Sequence, residues 1–114
     1  MRIAICEDED KYVKQLAEYI NEWAKLKNIS VEIFAHPTAE HFLYEWEDGE
    51  DYDILFLDIK MGSITGIELA HILRRTNKDL AIVFTTSAEE YAISGYAVSA
   101  DAILSETHIQ RRMF

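Results

Sequence analysis

Along the chain, short unbroken apolar runs alternate with stretches in which apolar residues recur every three or four positions. Unbroken runs mark strands buried on both faces, and the wider spacing marks helices with one buried stripe. Arg2 to Cys6 predicts a first strand. Val13, Leu16, Ala17, Ile20, Trp23 and Ala24 then share one face of a helix that ends near Lys27 and Asn28. Val31 to Phe34 predicts a second strand, and His36-Pro37-Thr38 a stop followed by an N-cap. The helix so capped carries Phe42, Leu43 and Trp46 and closes at Asp48-Gly49. Ile54 to Leu57 has no polar alternation, as a central strand covered by helices on both faces requires. Ile67, Ala70 and Leu73, with Leu69 and Ile72 alongside, mark a third helix, and Leu80 to Thr85 a fourth strand. Glu89 to Tyr96 reads as a shorter, more polar helix and Ala102 to Leu104 as a short fifth strand. Strands alternating with helices in this way predict an α/β fold around a parallel sheet. Ser105 to Phe114 is too little for a long final helix, so the last helix is expected to be short or missing.

A chain of 114 residues, 49% of them hydrophobic, has the size of one compact domain, residues 1–114, with a single core and no linker, repeat or low-complexity tract. Eleven Lys and Arg face 21 Asp and Glu, and a net charge of -10 opposes a phosphate backbone, so direct nucleic-acid binding is not expected. The one cysteine, Cys6, excludes an internal disulfide and every multi-cysteine metal pattern, and its apolar neighbours point to a buried thiol in a reducing compartment, the cytoplasm. No stretch has the length and polarity of a signal peptide or a membrane span.

Two oily runs end in acid: Arg2 to Cys6 leads into Glu7-Asp8-Glu9-Asp10, and Ile54 to Leu57 leads into Asp58. In an open parallel sheet the ligand crevice lies beyond the carboxyl ends of the strands. There the first strand would deliver Glu7 and Asp8, the third Asp58, and the fourth Thr85, Thr86 and Ser87. Gathered carboxylates repel unless a hard cation sits among them, and Mg2+, content with few protein oxygens, suits this set. With charge balanced, a free oxygen of Asp58 could attack a phosphoryl group and give an aspartyl phosphate. The plainer alternative is that Asp8, Glu9 and Asp10 only cap a helix dipole. Asp58 resists that reading, because a carboxylate directly after Ile-Leu-Phe-Leu is poorly solvated unless paired. His36, His41, His71 and His108 show no ligand spacing and read as surface or capping residues. Trp23, Trp46, Tyr12 and Tyr19 read as core and core edge.

Taken together, these positions resemble the receiver domains of two-component response regulators over roughly residues 1–104. The acidic pair Glu7 and Asp8, the strand-ending Asp58, Met61 three residues on, Gly66, and Thr86 followed by the small Ser87 all stand where that family has them. The stretch from Phe84 to Ile93, followed by Gly95-Tyr96-Ala97-Val98, looks most like receivers that precede a LytTR-type DNA-binding domain, and no such output domain is present in these 114 residues. The resemblance implies a flavodoxin-like, doubly wound sheet of five parallel strands in the order 2-1-3-4-5, a topology for which a chemotaxis receiver is itself a standing example. It implies that Asp58 accepts a phosphoryl group from a sensor histidine kinase. It implies Mg2+ held by Asp8, Asp58 and the Lys60 carbonyl, with Glu7 acting through a metal-bound water and the Thr86 hydroxyl turning toward the phosphate as the switch. It also implies contacts, including a homodimer, through the surface of the fourth helix and fifth strand, around Tyr91, Tyr96 and Val98.

Departures gather at the end, where the family shows an aromatic residue, two residues, then Lys-Pro; here Ile103, Glu106 and Thr107 hold those places. A glutamate where the family's lysine meets the acyl phosphate favours a rival reading, a degenerate receiver that binds partners without being phosphorylated. A metal-dependent phosphohydrolase would want a second acid two residues after the nucleophile, where this chain has Lys60.

Overall fold

The strands form one parallel sheet in the order β2-β1-β3-β4-β5. In chain order the elements are β1 (Arg2–Cys6), α1 (Asp10–Lys27), β2 (Glu32–His36), α2 (Ala39–Glu47), β3 (Ile54–Leu57), α3 (Gly66–Thr76), β4 (Ala81–Phe84) and β5 (Ala102–Ile103). The computed structural model describes residues 1–49, 51–58, 64–76, 79–85 and 102–103. The expected helix at Glu89 to Tyr96 and the segment from Ser105 onward lie outside the described residues.

The layering follows from handedness. A crossover between parallel strands is right-handed, β1 to β2 steps one way across the sheet, and β2 to β3 and β3 to β4 step the other. The helix of the first crossover must therefore cover one face, and the helices of the other two the opposite face. Side-chain alternation along the strands matches this. Ile3, Ile5 and Phe56 pack under Leu16 and Ile20 of α1. Ala4, Cys6, Leu55, Leu57, Ile82 and Phe84 pack under Phe42 of α2 and Ile67, Leu69 and Leu73 of α3. β1 and β3 are thus buried on both sides, which is why neither shows polar alternation.

Local chemistry sets the helix ends. α1 stops where Asn28 takes a left-handed conformation (φ 55°) and Ile29 N–H reaches back to the Ala24 carbonyl at 2.8 Å. The Thr38 hydroxyl accepts the His41 N–H at 3.0 Å and starts α2, while Gly49 leaves it at φ +98°. α3 opens with a reciprocal cap: Thr65 Oγ1 accepts the Glu68 N–H at 3.2 Å, and Glu68 Oε1 accepts the Thr65 N–H at 3.3 Å. Arg74 near its far end donates to the Leu80 carbonyl and ties the helix to the entry of β4.

Three expectations change, the smallest being the fourth strand, which runs Ala81–Phe84 and is one residue shorter at each end than Leu80 to Thr85. The second strand begins at Glu32 and runs to His36, because its pairing with β1 continues until Cys6 meets His36. His36 is also no surface residue, with 4% of its area exposed. As the inward-facing last residue of β2 it lies edge-on to Phe42 (5.1 Å, 83°), and its Nε2 lies 3.1 Å from the Tyr52 hydroxyl. His41 is exposed, as expected, but its Nδ1 lies 2.9 Å from Nδ1 of His36. His71 is half-buried on α3, and His108 lies outside the described residues.

Candidate functional site

The register of the sheet brings the candidate acids together. Cys6 pairs with Leu57 and Leu57 with Phe84, so the next residue of each strand, Glu7, Asp58 and Thr85, emerges at one level along the carboxyl edge. Backbone bonds carry the ladder one step further. Asp58 N–H donates to the Cys6 carbonyl at 3.1 Å, Thr85 N–H to Leu57 at 2.9 Å, and Glu7 N–H to His36 at 3.1 Å. These strand ends flank the point where the crossovers change face, between β1 and β3, the place an open sheet offers to ligands.

Carboxylate oxygens of Glu7, Asp8 and Asp58 all lie within 4.8 Å of one another. Glu7 and Asp58 are buried and Asp8 is exposed, so the cluster has a closed floor and an open mouth. Glu7 is oriented by its own neighbours, its Oε2 accepting the Asp8 N–H at 2.9 Å and the Glu9 N–H at 3.3 Å. The acids of this turn divide between two roles, Asp10 standing in the first turn of α1, where the helix dipole favours it. Glu9 is the N-cap of α1 yet its side chain makes no capping bond, and Asp10 pairs with Lys14 at 3.1 Å out in solvent. Asp8 faces the other two carboxylates.

Three carboxylates with an open mouth make a hard, all-oxygen donor set that fits Mg2+ and offers nothing to soft metals. Their field reaches the core beneath. Burial, followed by the charges of Asp58, Glu7 and Glu40, holds the Cys6 thiol far above the ordinary range, and its Sγ lies 3.5 Å from the Thr38 carbonyl. Cys6 is packing, not chemistry. Thr85, 4% exposed, is part of the floor beside β3. Thr86, Ser87, Lys60, Met61 and Glu106 lie outside the described residues, so the expected switch hydroxyl and carbonyl ligand are not placed.

The sequence pattern of the response regulator receiver domain matches residues 3–112. The chain belongs to that family. This receiver domain is 26% identical over 113 residues to the transcriptional regulatory protein LytR of Staphylococcus aureus, covering 99% of the chain and 44% of that protein. It is 29% identical over 112 residues to the sensory transduction protein LytR of Staphylococcus saprophyticus, covering 97% of the chain and 42% of the relative. The receiver domain therefore spans less than half the length of these regulators. Its fold is shared with the response regulatory domain of mrkE from Klebsiella pneumoniae (TM-score 0.78, 24% identity, 99% of this chain and 92% of that one). The response regulator TrrA of Thermotoga maritima, solved in complex with Mg2+ and BeF, superposes with a TM-score of 0.76 at 25% identity over 99% of this chain and 98% of that one. Both the flavodoxin-like parallel sheet and the LytTR-type character expected of this receiver are borne out.

Sequence reasoning missed the hydrogen bonds that aim Glu7 and the cap at Thr65. The second was legible, since Thr65-Gly66-Ile67-Glu68 has the Thr-x-x-Glu spacing of a capping box. The approach of His36 to His41 had no such signal, because it depends on how a strand end and a helix start pack.

Proposed function

We propose that this receiver is a phosphoacceptor switch, taking a phosphoryl group on Asp58 from a sensor histidine kinase and altering a protein-binding surface of a cytoplasmic regulator. The observation that carries the reading is the juxtaposition of buried Asp58 with Glu7 and Asp8 at adjoining strand ends. Few packing roles place three acids there, and a cation with a phosphoryl group uses all of them.

Asp8, Asp58 and the Lys60 carbonyl would hold Mg2+, with Glu7 in the outer layer. When bound, the ion supplies two positive charges against the carboxylates and the incoming phosphoryl oxygens. Asp58 presents one carboxylate oxygen to phosphorus; the new O–P bond forms as the bond from phosphorus to the donor breaks, and the donor leaves with the electron pair. Glu7, pinned by two backbone N–H groups, keeps its charge directed at the same spot. Thr86 follows Thr85 at the end of β4, and its hydroxyl is assigned the role of meeting the phosphate.

The test is labelling by a small acyl-phosphate donor with Mg2+, with incorporation expected in the parent and none in Asp58→Asn. An unlabelled parent, under conditions where Mg2+ raises its melting temperature, sinks the phosphoacceptor reading. Glu106 supports a second reading, a receiver that binds partners without phosphorylation. If it stands in the lysine's place it repels the phosphate, so Glu106→Lys should speed labelling and Glu106→Gln should speed it less. Dimerisation through the region of Tyr91, Tyr96 and Val98 completes the proposal, and light scattering that finds a monomer with and without a phosphate mimic removes it.

A further inference from the structure

At the edge of the sheet, a cleft of about 490 Å³ opens between β2 and α2, lined by Phe34, His36, His41, Glu45 and Tyr52 among others. Its chemistry is unlike that of the acidic crevice. Two imidazole rings stand 5.0 Å apart between centroids, with their Nδ1 atoms at 2.9 Å. A contact that short requires one ring to carry its proton on Nδ1 and the other to leave Nδ1 bare. His36 is the inner ring, and its Nε2 lies 3.1 Å from the Tyr52 hydroxyl. If Nε2 of His36 donates to that oxygen, its Nδ1 is the bare one and points toward His41. Glu45 follows His41 by one helical turn on α2 and lines the same cleft.

We propose that this cleft is a second metal site, taking a borderline divalent transition-metal ion such as Zn2+ on Nδ1 of His36, Nδ1 of His41 and a carboxylate oxygen of Glu45, with solvent in the fourth position. Two imidazoles and a carboxylate are a donor set that zinc proteins use, and nitrogen ligands select such ions over Mg2+. The fit is close. Zn–N bonds of about 2.0–2.1 Å at a tetrahedral angle set nitrogens about 3.3 Å apart, so the rings need to part by roughly 0.4 Å. His41 is exposed and can give way, while His36 is held by Tyr52 in the manner of an outer partner that orients a metal-bound imidazole. Among the described residues only Glu7, Asp8 and Asp58 already bring three donor groups within 4.8 Å of one another, so Glu45 joins by rotating its half-exposed side chain. An ion on Nδ1 of His41 requires the tautomer that carries its proton on the outward Nε2.

The site would not be isolated from the acidic crevice. The His36 carbonyl holds the Glu7 N–H at 3.1 Å, so an ion that clamps the end of β2 to α2 also steadies the strand end that carries Glu7.

The experiment uses tag-free protein in an Asp8→Asn, Asp58→Asn background, which leaves the crevice only the Glu7 carboxylate, with Co2+ as the spectroscopic probe and Zn2+ as competitor. A four-coordinate visible Co2+ band should appear, saturate at one equivalent and be displaced by Zn2+. His41→Gln, a change at an exposed position checked for folding by circular dichroism, should abolish the band, and Glu45→Gln should weaken affinity about tenfold or more. A band that survives His41→Gln, or no four-coordinate Co2+ at any concentration the protein tolerates, overturns the proposal. Unchanged affinity in Glu45→Gln overturns the three-donor arrangement.

Discussion

Replacing Asp58 with Asn keeps the shape of the side chain and removes one charge from a crowded place. Glu7 and Asp58 carry oxygens within 4.8 Å of one another. At that separation two unit charges repel by about 3.5 kcal/mol for an effective dielectric of about 20. Both residues are nearly closed off, at 5% and 8% exposure, so their repulsion is screened less than that of surface acids. The open mouth at Asp8 still admits salt, and the Asn amide has its own desolvation cost, which together leave a net gain of roughly 1–2 kcal/mol. Asp58→Asn should therefore be more stable than the parent in EDTA at low ionic strength, by about 4–8 °C in melting temperature for a domain of this size. The gap should narrow as NaCl is added. It should narrow further or reverse in saturating Mg2+, since an ion that binds only the folded parent stabilises it by mass action. Thermal and urea melts of both proteins across a salt series decide the matter. An Asn variant less stable than the parent in EDTA at every ionic strength refutes the reasoning, because the carboxylates would then owe more to fixed protein partners than they lose to one another.

The remaining expectations concern the frame around the site. Burial, and then His41, lower the His36 pKa to about 4 from the ordinary 6.5, so between those values the unfolded chain binds the extra proton. The resulting stability is fully present above about pH 6.5 and is lost as pH falls toward 4, on the order of 2–3 kcal/mol, and urea midpoints that change no more in the parent than in His36→Gln over this window would refute it. Thr38→Ala should cost about 1 kcal/mol through the lost cap on the His41 N–H and Thr38→Ser much less, as read from chemical denaturation. The Cys6 thiol should resist alkylation in the native protein and react only at the rate of global unfolding, so fast native labelling would contradict its burial.

Much of this molecule is legible in its sequence because burial on both faces leaves a strong pattern. Ile54 to Leu57 reads as an inner strand, and the bounds that the apolar runs give, Arg2 to Cys6 and Ile54 to Leu57, coincide with β1 and β3. The acid cluster was legible for a related reason: a carboxylate at the end of an unbroken apolar run needs a purpose, and three strand ends share one edge. The second strand was harder to delimit. β2 is an edge strand with one side open, its burial alternates irregularly, and its last two residues, Ala35 and His36, belong to it only because β1 continues opposite them. His36 looked like a surface histidine because the sequence carries no sign of Tyr52, sixteen positions away, arriving beside its ring. Contacts set by tertiary packing between unlike elements have no period to read.

The position of β1 also governs how the chain is made. It is the earliest strand, yet its neighbours in the sheet are β2 on one side and β3 on the other. On the ribosome, where the N-terminal part folds first, β1, α1 and β2 are complete once His36 has emerged, and α1 then covers Ile3 and Ile5. The other face of the same strand, with Ala4 and Cys6, stays bare, and the β1 edge meant for β3 stays unpaired, until residues 39–57 have followed. A nascent chain in that interval presents an apolar face beside an open strand edge, the combination that invites pairing with a neighbouring chain. The interval between His36 and Leu57 is thus one in which a holding chaperone would have an open edge of β1 to protect, and β3 passes through the same condition until β4 follows.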